Sequence, residues 1–361
     1  MNTLGKHYRI TSIGESHGKI VGVVIDGCPA GLKLDMEQLQ KDLDRRRPGQ
    51  SNITTQRKEE DQAEVLTGLY NGVTTGAPIT IITHNKDRDS SKYLEQRWTP
   101  RPGHADYTAG LRYGENQDPR GGGRFSGRNT VGFVMAGSVA KQLLSRIGTN
   151  IVGYTQQIGD VVTPEPKDFE HIEENPVRCP DPLTAEKMIK VVEDAKADKD
   201  SVGGKVRCIA FNPPKGIGDP IFDTLEGCLG KAFFSIPAVK AVEFGSGVES
   251  AGMCGSEHND QYTVQDGEVV TITNNSGGIL GGISNGMPIV ATVTFKPTPS
   301  IGKPQRTVDI RTKEETMISI EGRHDPCIVP RAVPVVEAMM AVVLLDHVLG
   351  AGVIPRILGD D

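Results

Sequence analysis

The segment Arg120-Gly121-Gly122-Gly123-Arg124-Phe125-Ser126-Gly127-Arg128-Asn129-Thr130 concentrates more chemistry than any other part of the chain. Three arginines stand among four glycines, just before an apolar run that reads as a helix. Glycine lets backbone N–H groups come close to a ligand, and a helix N-terminus offers unpaired donors with partial positive charge. Arginine adds planar donor forks that suit phosphate and carboxylate oxygens. Asn129 or Thr130 has the side chain to cap the helix. By itself the segment fits two readings equally, a cradle for an anionic ligand or a solvated turn.

Two histidines stand in similar settings, in Gly14-Glu15-Ser16-His17-Gly18 and in Arg101-Pro102-Gly103-His104-Ala105-Asp106. Imidazole titrates near neutrality, so a pair of them can give and take protons. Either one alone reads as a structural residue; two beside several arginines point toward acid–base work. Further basic or polar groups stand in Asp44-Arg45-Arg46-Arg47-Pro48, in Lys296-Pro297-Thr298-Pro299-Ser300 and in Gly322-Arg323-His324-Asp325-Pro326-Cys327. Basic residues at a helix end also complement its dipole, a purely structural reason for part of the arginine run. Gly14-x-Ser16-x-Gly18 matches a nucleophile-elbow spacing but leads into a strand, so a serine hydrolase is set aside. Residues 274–282 are glycine-rich yet lack G-x-G-x-x-G, and no Walker sequence occurs.

The elements that must position these groups are read from periodicity and composition. Strands are expected at 20–26, 78–83, 206–211, 269–273 and 288–295, where Val, Ile and Thr dominate. Helices are expected at 36–46, 131–147, 185–197, 223–234 and 333–349. In the first of these, Asp35 and Gln38 resemble a capping box, Met36, Leu39 and Leu43 form the apolar stripe, and Pro48-Gly49 is the stop. Residues 163–182 and 255–267 are polar and read as surface excursions. Strands and helices mix without regular alternation, which favours α+β over a doubly wound sheet, and no linker divides the 361 residues.

The net charge of −6 with locally clustered arginines fits a small anionic ligand and weighs against a nucleic-acid partner. An RNA-binding surface built on Arg45–Arg47 and the Gly/Arg loop stays the second class, with sparse aromatics against it. A phosphatase acting on a sugar-acid phosphate is the third. The six scattered cysteines encode neither a zinc site nor a disulfide framework, so no metal is expected. The first residues lack a signal-peptide core, and the apolar run near 333–349 carries Glu337 and Asp346, so it reads as a buried helix. A cytoplasmic location without a membrane partner is expected. Residue chemistry alone reaches an enzyme with a basic pocket and two histidines, acting on a phosphorylated acid.

Taken together and in this order, the His17, His104, 121–126 and 323–327 segments resemble the signatures of the chorismate synthase family, and residues 44–49 and 296–298 fit as well. The resemblance runs from about residue 8 to residue 349. It implies a shikimate-pathway lyase that converts 5-enolpyruvylshikimate 3-phosphate to chorismate by 1,4-elimination. It implies reduced FMN as cofactor without net redox change, a single-domain β-α-β sandwich spanning 1–361 with helices between antiparallel sheets, and a homotetramer. With no nicotinamide domain visible, flavin reduction from outside is expected over reduction by the protein's own NADPH. The resemblance gives His17 the protonation of the departing phosphate, His104 a place at the flavin, and Asp325 a share in relaying the flavin's proton. Arg124, Phe125, Ser126, Pro237, Ala238, Gly281, Lys296, Pro297, Thr298, Pro299, Ser300 and Arg323 would hold the flavin. Arg45, Arg46, Arg101 and Arg128 would hold the substrate's phosphate and carboxylates. Three positions depart from the family pattern: Asn129 stands for a frequent glutamate, Asn52 near a missing arginine, and Pro237 for an asparagine of some members.

Overall fold

The computed structural model describes residues 1–49, 60–86, 96–320 and 325–359. Two antiparallel five-stranded sheets enclose a pair of central helices, the α+β sandwich expected from the sequence. The first sheet runs in the order Thr3–Leu4, Arg9–Gly14, Ile20–Asp26, Ile79–His84, Glu64–Thr67. The second runs Val239–Phe244, Ile289–Phe295, Gly204–Phe211, Asn150–Ile158, Val161–Val162. Helix Thr130–Ser145 packs on the first sheet, helix Val329–Gly350 on the second, and the two helices pack on each other. One continuous apolar core joins both sheets through them.

Close approach explains why such unpromising helix residues lie in Thr130–Ser145. A Cβ at Gly137 would overlap Ala338 of the facing helix, and one at Gly132 would stand 2.5 Å from the carbonyl oxygen of Gly22 on the sheet. Helix Val329–Gly350 is long and apolar enough to cross a membrane, but 83% of its most apolar window is buried inside the fold. Its one acid in the core, Glu337, accepts from Arg45 at 2.6 and 3.0 Å, from Lys141 at 2.8 Å and from the Gly153 amide at 2.9 Å. Burial opposes that charge, yet Arg45 and Lys141 hold the Glu337 carboxyl well below the usual range. Near the far end of the same helix, Asp346 accepts from the backbone amides of Lys6, His7 and Tyr8 at 2.5–2.9 Å.

The expected helices and strands are all present, with shifted ends. Helix Met36–Arg46 has the anticipated bounds, and Asp35 caps it by accepting from Glu37 and Gln38 amides at 2.9 Å. The Asp35 amide donates to Oε1 of Gln142 and not to Gln38, so the box is closed between helices. Strands Arg9–Gly14, Asn150–Ile158 and Val239–Phe244 were not anticipated. In Asn150–Ile158, Gly153 and two glutamines break the apolar pattern, and Gly153 is there because Glu337 lies against it. Residues 163–182 are only partly a surface excursion, since Ile172, Val177 and Cys179 are buried. Gly137→Ala should destabilise the protein by ~1–3 kcal/mol through overpacking between the helices. A urea-unfolding midpoint equal to wild type would refute that contact.

Candidate active site

Residues 120–130 do not form a simple capped helix start. Gly121, Gly122 and Gly123 take φ values of 59°, 84° and 50°, a left-handed run closed to most side chains. Ser126 caps a short turn at Gly127–Asn129 by accepting from the Arg128 amide at 3.2 Å, and helix Thr130–Ser145 follows directly. Asn129 caps nothing: its amide donates back to the carbonyls of Gly123, Arg124 and Ser126 at 3.0, 3.0 and 3.3 Å. An ionised glutamate at that position has no such donors, so the departure at 129 goes with this way of fastening the loop. Arg124 anchors the loop to the first sheet through the carbonyls of Gly14 at 2.6 Å and Ser12 at 3.2 Å. Arg120 folds back on Asp118 at 2.8 Å.

The loop runs between the two histidines. A Cβ on Gly121 would overlap the His17 ring, and one on Gly122 would stand 3.2 Å from Cε1 of His104. His17 sits in the turn between strands Arg9–Gly14 and Ile20–Asp26, which disposes of the nucleophile-elbow reading. It is 4% exposed, with Nδ1 3.2 Å from the Ser16 hydroxyl, and the Ser16 amide reaches the Gly123 carbonyl at 3.4 Å.

His104 is held by charge. Its Nδ1 lies 2.6 Å from Asp106, and Arg101 donates to both Asp106 oxygens at 2.7 and 2.8 Å and to the Ser300 hydroxyl at 3.2 Å. Burial works against ionised Asp106, but hydrogen bonds from Arg101 and His104 keep its carboxyl well below the ordinary range. Arg101, His104, Asp106, Asp118, Gly122 and Phe125 are among the walls of a small cleft. His17 lies behind Gly121, outside that lining. Phe125 is 40% exposed, its ring beside Tyr113.

The run Arg45–Arg47 points three ways around its helix. Arg45 goes to Glu337 and Glu173, Arg46 inward, and Arg47 to Asp44 at 3.4 Å. Such a run is not a basic face for RNA. Arg46 and Arg128, both nearly fully buried, share the carboxylate of Asp61, Arg46 at 2.6 Å. Burial would raise Asp61, but the two guanidiniums hold it at about 2; burial, with Arg331 and Arg128 nearby, lowers Arg46 to about 10 against the pull of Asp61. Among the described residues, two guanidiniums thus share one carboxylate beside the loop. Arg331 pairs with Asp325 and donates to the Arg46 carbonyl at 3.1 Å.

The other expected flavin residues divide. Lys296 donates to the Gly103 carbonyl, Thr298 to the Asp325 carbonyl at 2.9 Å, and Ser300 accepts from Arg101, so residues 296–300 adjoin the His104 segment. Burial and nearby Lys240 lower Lys296. Ala238, at a φ of 73° after Pro237, accepts from the Lys296 amide at 3.0 Å and belongs to the same region. Gly281 turns the hairpin Ile279–Leu280/Ile283–Ser284, which packs on Thr224 and Ile217 and is not among the cleft walls. Arg323 and Asn52 lie outside the described residues. Sequence reasoning missed Asp61, Asn85 and Arg331, which stand in unremarkable polar or apolar context; Asp106 had a signal, two places after His104.

Fold and site define a two-sheet α+β sandwich in which a glycine loop runs between two histidines beside clustered arginines. The family model of chorismate synthase matches residues 8–349. Chorismate synthases of Dehalococcoides mccartyi and Methanosarcina barkeri are 50% and 51% identical, each over 99% of both chains. That of Methanopyrus kandleri is 53% identical over 98% of this chain and 94% of its own. A solved structure titled as a crystal structure of chorismate synthase superposes with a TM-score of 0.76 at 31% identity, covering 96% of this chain and 93% of that one. The chain belongs to the chorismate synthase family. Its members are lyases that make chorismate in the shikimate pathway and require reduced flavin.

Two outcomes test this geometry. Gly121→Ala should cut turnover at least about tenfold by displacing His17, the low side of an acid–base contribution; an active variant would mean the ring has room the loop denies it. Ionised Asp61 contributes its full share of stability above its ordinary value of 3.8, and that share is lost as pH falls toward about 2. Asp61→Asn removes the carboxylate the two arginines share and should cost ~3–5 kcal/mol at neutral pH. Urea unfolding across that acid range should also show a shallower loss in the variant than in wild type.

Proposed function

We propose that this chain eliminates phosphate from 5-enolpyruvylshikimate 3-phosphate to give chorismate, with His17 and His104 as its acid–base residues. The observation that carries the proposal is the Gly121-Gly122 pair, which lies against both imidazoles at once. His17 protonates the departing phosphate. His104, oriented by Asp106 and Arg101, serves the flavin side, and Asp325, held by Arg331, shares in moving the flavin's proton. The substrate brings a phosphate and two carboxylates. The guanidiniums of Arg46 and Arg128, gathered on Asp61 beside the glycine loop, favour such an anion. Arg101 contributes from the cleft wall, while Arg45 is bound to Glu337 and acts at most through its field.

A reduced FMN fits the residues present. Lys296, Thr298 and Ser300 are cation and hydroxyls suited to its phosphate, next to His104, with exposed Phe125 available to an aromatic ring. Pro237 and Ala238 would complete that wall, and Arg323, expected there from the sequence, lies outside the described residues. When bound, the reduced flavin supplies electron density that is returned by the end of turnover, so no net redox change results. The reading includes reduction of the flavin by an outside donor, action in the cytoplasm as a homotetramer, and one domain over residues 1–361.

The test is an anaerobic assay with the phosphorylated enolpyruvyl substrate and chemically reduced FMN. Chorismate should form only with the flavin present. Phosphate release that continues without flavin would make the protein a phosphatase instead. His17→Ala and His104→Ala should each slow turnover at least about tenfold; full rates would strip them of these roles.

A further inference from the structure

We infer that Asn85 is a positioning residue for His17, gripping the backbone of the turn that carries it; the inference rests on the role proposed above for His17. Asn85 follows strand Ile79–His84 and is 1% exposed. Its side-chain Nδ2 donates to the carbonyls of Glu15 at 3.1 Å and Gly18 at 3.0 Å, one on each side of Ser16-His17. Its backbone amide donates to the Lys19 carbonyl at 3.2 Å. Its Oδ1 accepts from Nε of Arg128 at 2.9 Å, and Arg128 in turn is paired with buried Asp61.

The partners fix which end of the amide is which. Two carbonyls demand a donor and a guanidinium demands an acceptor, so only a group carrying both satisfies the site. A carboxylate meets Arg128 but turns a second acceptor on the two carbonyls. The turn is thereby tied to the same buried ion cluster that fixes Arg128, the residue at the end of the glycine loop. Gly121 closes against the His17 ring. Backbone and ring are set by one connected unit, and a displacement of about 1 Å at a reacting group is enough to cost ~100-fold in rate.

The experiment is a double-mutant cycle in the anaerobic assay, with Asn85→Asp, His17→Ala and the pair, and with binding of oxidised FMN and unfolding midpoints measured alongside. Asn85→Asp keeps a partner for Arg128 and loses both donors to the turn. We expect its kcat to fall at least about tenfold, with FMN affinity within about twofold of wild type. In the His17→Ala background the same change should cost less than about twofold, because the group it positions is gone. Losses that multiply in the double variant, or a full-rate Asn85→Asp enzyme beside a slow His17→Ala, overturn the inference and leave the His17 role intact. A full-rate His17→Ala removes that role, and the inference with it. Should Asn85→Asp fail to fold, Asn85→Ser, which is too short to reach both carbonyls, is judged by the same cycle.

Discussion

The structure depends on one buried carboxylate. Glu337 sits in the middle of an otherwise apolar helix and gathers Arg45 from helix Met36–Arg46, Lys141 from helix Thr130–Ser145 and the Gly153 amide from the second sheet. An ionised acid in that position is tolerable only with every partner in place. The layers of the sandwich are therefore fixed in register as well as packed, because an apolar contact can slide and this one cannot. Gly153 and the central helix glycines allow the approach that the ion pairs require.

From there the constraint passes to the chemistry through a single helical turn. Arg45 reaches into the core, and its neighbour Arg46 reaches the Asp61 cluster, so the end of one helix couples the two polar networks. Arg128 carries the second network to Asn85 and the His17 turn, and the glycine loop carries it on to His104. Each histidine is thus placed by buried charge and backbone, with little left to flexible contacts. The cost is a set of buried ions, each of which must keep its partners for the fold to hold.

Much of this was legible in the sequence. Helix Met36–Arg46 was read to the residue because its cap, stripe and proline stop agree. The glycine loop and both histidines announced themselves by composition. What the sequence hid was direction. Nothing local says that Arg45 faces the core while Arg46 faces the site, or that Arg124 spends its donors on Gly14 and Ser12. Asp61 and Asn85 were invisible because their partners lie far along the chain and their own neighbours are ordinary. Strand Asn150–Ile158 was missed for a related reason: its glycine answers to a glutamate in the Val329–Gly350 helix.

The clasp of Asp346 on the amides of Lys6, His7 and Tyr8 joins residues 340 positions apart. It belongs to a wider pattern, in which the first sheet is covered by a helix that must itself rest on the one ending near Asp346. Contacts of such long reach are closed late and slowly, since the chain entropy of large loops is lost before their burial is gained. During synthesis the sheet that carries His17 can be covered early by helix Thr130–Ser145, but the other face of that helix waits until the far helix Val329–Gly350 has been made. His17 is thus among the first residues of the site to be translated, long before the helix that completes the support of its own layer.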